Sequence, residues 1–205
     1  MNSSLYIFGA GGHTRSLISL LKNCNFDIIG LYDETYSKSN KKEIINSVEL
    51  LGDISHYKSD NKIVLSYGDN KKRKKIFNEY FDNILKQNIC HKTSYVDGTV
   101  VFGVSNFVFA KSIINSNTII GSNNIINTGA IVEHEVEIGS HNHISVGSII
   151  CGRVKIGDEC FIGAGTVIND KVTVGNNIII GSNSTVIESI FEPGIYVGSP
   201  VKKIK

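Results

Sequence analysis

The chain has 205 residues, 41% of them apolar, and a formal net charge of +2. That is length for one or two domains and apolar content for a real core, which excludes a disordered or fibrous chain. The charge is too mild for a nucleic-acid or membrane partner, which shows a dense basic face.

Taken in chain order, Leu5-Tyr6-Ile7-Phe8 reads as a short buried strand, Gly9-Ala10-Gly11-Gly12 as a tight turn, and His13 to Asn23 as a helix with Leu17, Ile18, Leu20 and Leu21 on one face. Strands are predicted at Ile28 to Tyr32 and Ile63 to Ser66, and a polar, basic helix at Asn70 to Phe81. Its run Lys71-Lys72-Arg73-Lys74-Lys75 reads as a solvated face. This alternation predicts a small Rossmann-like α/β domain over residues 1–90 with a parallel sheet. The glycine turn joins a strand to a helix, where backbone N–H groups approach a phosphate, and Asp33 ends the next strand, where a ribose or base is held. About 90 residues are too few for a full dinucleotide domain, so a mononucleotide or nucleotide sugar fits better.

From Val96 to Val186 every sixth residue is apolar, through Ile114, Val132, Ile150 and Ile168, an outcome with a chance probability on the order of one in a million. Residues 91–205 are therefore a hexapeptide-repeat parallel β-helix with a C-terminal tail from Pro193. Three hexads close a triangular coil, and strands of successive coils stack at about 4.8 Å. The leading aliphatics point inward. Small or aliphatic residues four places later, such as Ala130, Ser148 and Cys160, suit a tight interior, and Gly121, Gly139 and Gly157 mark corners that tolerate little bulk.

Four scattered cysteines lack zinc or disulfide spacing, so no metal site is expected and a reducing cytoplasm fits. Only four apolar residues precede the glycine turn, too few for a signal peptide, and no later run approaches membrane-spanning length. The expected protein is soluble and cytoplasmic.

The bland repeat is interrupted at Glu133-His134-Glu135, followed by His141-Asn142-His143. His134 falls at an outward corner. Glu135 beside it is placed to accept the ring N–H, the pairing of a general base with its orienter. His143 lies half a coil away, a second corner that a neighbouring subunit would have to bring close.

These residues together resemble the bacterial nucleotide-sugar acetyltransferases of the left-handed β-helix class, in particular the bacillosamine-pathway N-acetyltransferases and their O-antigen and sialic acid O-acetyltransferase relatives. The resemblance implies a left-handed helix, an acetyl-CoA cosubstrate and a homotrimer with sites between prisms. It implies transfer of acetyl to the 4-amino group of a UDP- or dTDP-linked 4-amino-4,6-dideoxyhexose in surface glycan or lipopolysaccharide synthesis. By the same resemblance His134 is the proton acceptor and Glu135 increases its basicity. Gly11, Gly12, His13, Asp33, Gly68 and Asn127 contact the nucleotide sugar, while His143, Gly152, Ala164 and Ser182 contact acetyl-CoA. Two alternatives stand beside this reading: a sialic acid O-acetyltransferase, against which His13 argues, and a non-catalytic β-helix scaffold.

Overall fold

The computed structural model describes residues 4–36 and 44–205. The chain divides into two compact units, Met1–Lys86 and Gln87–Lys205. In the first, β1 (Ser4–Phe8), α1 (Gly12–Asn23), β2 (Asp27–Tyr32), β3 (Ile44–Ile45), β4 (Val48–Gly52), β5 (Lys62–Leu65) and α2 (Asn70–Glu79) follow in order. The sheet runs β3-β4-β2-β1-β5, parallel except for the β3/β4 hairpin at its edge. The expected all-parallel sheet therefore gains an antiparallel edge: β4 pairs parallel with β2, and β3 closes back on β4 through the turn at Asn46-Ser47. The apolar stripe of α1, with Leu17, Ile18, Leu20 and Leu21, is buried, as are Ile7 and Phe8 of β1. Each such side chain contributes roughly 1.5–3 kcal/mol.

The second unit is a solenoid of two- and three-residue parallel strands in three sheets, with a longer C-terminal hairpin. Residues eighteen apart pair directly, so that Ile114, Val132, Ile150 and Ile168 form one inward ladder. All four are fully buried, with Ala130, Ser148 and Cys160 beside them. The glycines after the leading aliphatics are required by close approach: a Cβ on Gly121 would lie 2.6 Å from the Gly139 carbonyl oxygen one coil on.

Ile89–Cys90 is already a solenoid strand, pairing with Phe107–Val108, because Cys90 continues the six-residue period upstream of Val96. That moves the expected junction after residue 90 to Lys86/Gln87. At the far end Gly194–Gly198 adds to the sheet parallel to Ile178–Ile180, and Val201–Lys203 folds back against it.

One regularity the hexad reading did not include is the left-handed backbone at the fourth residue of the turn. Glu135, Arg153 and Lys171 have φ of 58°, 58° and 62°, and His141 and Asn123 do the same on another edge. A non-glycine residue there costs about 1–2 kcal/mol, and coil stacking over-determines it. The strain recurs around the prism and does not by itself mark a site.

Candidate active site

The first unit holds a cleft of about 480 Å³ between the glycine turn and the start of α2. It brings together Gly11, Gly12, His13, Asp33 and Gly68, with Lys72 and Tyr67 among its other walls. The α1 N-terminus has no side-chain cap and no acidic residue in its first turn, which leaves its dipole and N–H groups to an anion. Asp33 ties the two loops of the cleft together: Ala10 N–H donates to its Oδ2 at 2.8 Å, and the Thr35 N–H donates to its Oδ1 at 2.8 Å. Burial alone would raise this carboxyl, but the Thr35 and Ala10 hydrogen bonds outweigh it and hold Asp33 below the usual carboxylate range. Burial, with the nearby Arg73 charge second, drives His13 down to about 4, so its ring is neutral near pH 7.

The basic run is not a solvated face throughout. Arg73 is fully buried and donates to the Tyr67 carbonyl at 3.0 Å and to Asn70 Oδ1 at 2.8 Å, fixing the loop that enters α2. Lys72 faces the cleft, 2.8 Å from Glu34 and 4.6 Å over the Tyr67 ring. The spacing within a helix puts Arg73 on the Ile76-Phe77 side, and a charge count along the sequence does not register that. The Tyr67 hydroxyl is buried with no hydrogen-bond partner among the described residues, and burial pushes its phenol well above the ordinary value.

In the solenoid, His134 stands on an edge with its side chain 43% exposed, open enough to meet a substrate. Its Nδ1 lies 3.0 Å from Glu135 Oε2. A carboxylate only accepts, so in the neutral ring it is Nδ1 that bears the hydrogen and Nε2 that keeps the lone pair. That Nε2 side of the ring rests over Gly152, one coil on: a Cβ at Gly152 would lie 2.8 Å from both Cε1 and Nε2 of His134. Only glycine leaves room for the imidazole. The Gly152 carbonyl accepts from Lys171 N–H at 3.0 Å, whereas the Gly152 N–H donates to no acceptor among the described residues. Base and open donor are thus adjacent. Glu135 Oε2 also accepts from Arg153 Nε at 3.2 Å, and Arg153 Nη1 lies 3.6 Å from Asp170 Oδ1.

The remaining expected residues lie on other parts of the prism. His143 is not at a corner. It sits in the strand His143–Ile144, only 7% exposed, edge-on to Phe161 at 5.1 Å, with Nε2 at 3.1 Å from Asn127 Nδ2. The period places residue 143 immediately before the inward Ile144, which makes it a strand residue facing outward. Asn127 and His143 therefore form one pair. Ala164 and Ser182 follow each other by one coil on the same edge as Asn127, Asn183 N–H donating to the Ala164 carbonyl at 2.8 Å. The structure does not gather the expected acetyl-CoA residues on one edge: Gly152 is with His134, and Ala164 and Ser182 are on the next edge round. Among the described residues no group of histidine, cysteine, aspartate or glutamate could hold a metal ion. Sequence reasoning missed Arg153 and Asp170, whose signal is the eighteen-residue offset from Glu135 and Gly152.

Comparisons with known proteins match both units of the chain. The PglD N-terminal domain matches residues 4–80, and the bacterial transferase hexapeptide family, six repeats, matches residues 153–188. PerB from Caulobacter crescentus, solved with CoA and GDP-perosamine, is 26% identical with a TM-score of 0.87, covering 98% of this chain and 97% of its own. The acetyltransferase domain of PglB from Neisseria gonorrhoeae shares the fold at 23% identity and a TM-score of 0.89, covering 99% and 100%. Uncharacterized protein L142 of Acanthamoeba polyphaga mimivirus is 35% identical over 113 residues, 54% of this chain; the chain spans 22% of that curated relative. Residues 4–80 thus match a PglD N-terminal domain and residues 153–188 bacterial transferase hexapeptide repeats, and the chain is similar in fold over nearly its whole length to PerB and to the acetyltransferase domain of PglB.

Proposed function

We propose that the chain is an acetyl-CoA-dependent sugar N-acetyltransferase, transferring acetyl directly to the 4-amino group of a nucleotide-linked 4-amino-4,6-dideoxyhexose. The observation that carries this reading is the placement of His134, with Nδ1 3.0 Å from Glu135 Oε2 and Nε2 against Gly152, whose N–H has no acceptor among the described residues. His134 Nε2 takes the proton of the acceptor amine as its nitrogen attacks the thioester carbonyl. Glu135 stabilises the imidazolium, and the Gly152 N–H donates to the developing oxyanion. The tetrahedral centre then collapses with loss of the CoA thiolate, which takes up the proton. The first unit supplies the nucleotide site, with Gly11, Gly12, His13, Asp33 and Gly68 around one cleft. PerB was solved with GDP-perosamine, which supports a nucleotide-linked sugar as acceptor and leaves the nucleotide open among UDP, dTDP and GDP.

A homotrimer completes this site. His134, Glu135 and Gly152 stand on one edge, and Asn127, Ala164 and Ser182 on another, so a second copy is needed to face the two. Light scattering tests this: the reading requires three copies, and an active monomer contradicts it. We place the enzyme in the cytoplasm, in keeping with four cysteines, Cys24, Cys90, Cys151 and Cys160, that form no disulfide among the described residues. No helix among the described residues is long and apolar enough to cross a membrane. A thiol-release assay comparing nucleotide-linked 4-amino sugars with sialic acid tests the acceptor. Release with the amino sugars alone is expected. Release with sialic acid alone favours the O-acetyltransferase, and release with neither favours a scaffold.

A further inference from the structure

We infer that Arg153 is a positioning residue with two tasks: it holds Glu135 on His134, and it keeps Asp170 away from the Gly152 N–H. The inference rests on the reading of His134 and Gly152 as base and oxyanion donor.

The argument comes from two equivalent places in the hexad. Ser140 and Asp158 occupy the third hexad position on one edge, eighteen residues apart, and Asp158 Oδ1 accepts from the Ser140 N–H at 2.6 Å. Gly152 and Asp170 occupy the same position on the edge of His134, again eighteen residues apart. By register Asp170 should cap the Gly152 N–H in the same way, yet that N–H has no acceptor. Its carboxylate lies beside Gly152, with Oδ1 3.1 Å from where a Gly152 Cβ would stand, but it pairs with cations instead of the N–H, Oδ1 with Arg153 Nη1 at 3.6 Å and Oδ2 with Lys171 Nζ at 3.5 Å. The residues that differ sit at the left-handed positions: Arg153 and Lys171 on this edge, Glu159 and Asn177 on the other. Arg153 also gives its Nε to Glu135 Oε2, the oxygen that receives His134 Nδ1–H. One planar guanidinium thus spans two carboxylates from the coils on either side of its own, a geometry that a lysine ammonium, as a point donor, does not reproduce.

The test uses the full chain with Arg153→Leu, Arg153→Lys and the pair Arg153→Leu with Asp170→Ala. Two readouts are taken: kcat with acetyl-CoA and a nucleotide-linked 4-amino sugar, and hydrogen exchange of the Gly152 amide by NMR, which needs no acceptor. Arg153→Leu should lower kcat on the order of tenfold, the scale of one lost hydrogen bond, with KM unchanged, and should slow Gly152 amide exchange as Asp170 caps it. Adding Asp170→Ala should restore the fast exchange and part of kcat, a coupling that a purely structural role does not produce. Arg153→Lys should resemble Arg153→Leu more than the parent chain, and it serves if the leucine variant does not fold. Unchanged Gly152 exchange and kcat in Arg153→Leu, or a double variant no better than the single, overturns the inference. His134→Ala assayed alongside separates the two claims: full activity there ends the base assignment and this inference with it. An inactive His134→Ala beside a fully active Arg153→Leu ends this inference alone.

Discussion

Two edges of the solenoid follow the same backbone path and end their N–H groups differently. Along the first, Ser122 N–H donates to Ser140 Oγ at 3.0 Å, Ser140 N–H to Asp158 Oδ1 at 2.6 Å, and Asp158 N–H to Asn176 Oδ1 at 2.7 Å. Just inside it, the buried Asn106, Asn124 and Asn142 cap the backbone in the same stepwise fashion. Along the second, through His134, Gly152 and Asp170, this staircase is missing and the Gly152 N–H is left open. The capped edge closes its N–H groups on side chains, whereas on the His134 edge the same position stays open to a substrate, and among the described residues only there does an open donor lie against an imidazole.

The largest expected effect removes the support common to both edges. Ile150→Ala deletes a fully buried member of the inward ladder and should cost about 2–5 kcal/mol in urea unfolding. An unaltered midpoint would deny that the ladder carries the prism. The first unit, by contrast, should respond to acid. His13 is lowered from 6.5 to about 4 in the folded chain, so the unfolded chain binds its proton more tightly. Stability is complete above about pH 6.5 and falls by up to about 3 kcal/mol as pH drops to about 4, where the loss levels off. The stability that the depressed Asp33 contributes is lost only at lower pH, as its folded value is passed. Thermal melts at pH 7 and pH 4.5 should separate the parent from His13→Gln, and equal acid sensitivity would remove His13 as the cause.

Gly152→Ala sharpens the comparison between edges. Its Cβ would lie 2.8 Å from the His134 ring, so the imidazole must move, and kcat should fall about a hundredfold with the melting temperature little changed. Parental turnover would detach His134 from Gly152. On the other edge Asp158→Ala should do the opposite, costing about 1 kcal/mol of stability through the uncapped Ser140 N–H while leaving kcat alone. A loss of activity there would erase the distinction between the edges.

The six-residue period made the inward ladder legible because each leading position meets the same interior, coil after coil, from Ile114 to Ile180. The strand, glycine turn and α1 were equally readable from local pattern. The β3/β4 hairpin was not, since its short strands carry no clear alternation. His143 was misplaced at a corner because its neighbours Asn142 and Ile144 both face inward and are buried, so polarity alone did not mark the strand. The burial of Arg73 and the bridging of two carboxylates by Arg153 belong to tertiary register, which a run of cations and a lone arginine do not encode. His134 and Glu135 were visible because they are chemically foreign to the repeat, and neighbouring positions at one turn let them touch.

The central claim is that the His134 edge performs the chemistry, and His134→Ala tests it most directly. With acetyl-CoA and a nucleotide-linked 4-amino sugar, kcat should fall by roughly 10²–10⁴-fold, the contribution of a general base, while the melting temperature and KM for acetyl-CoA stay near those of the parent. Turnover at the parental rate in a folded His134→Ala protein would contradict the account.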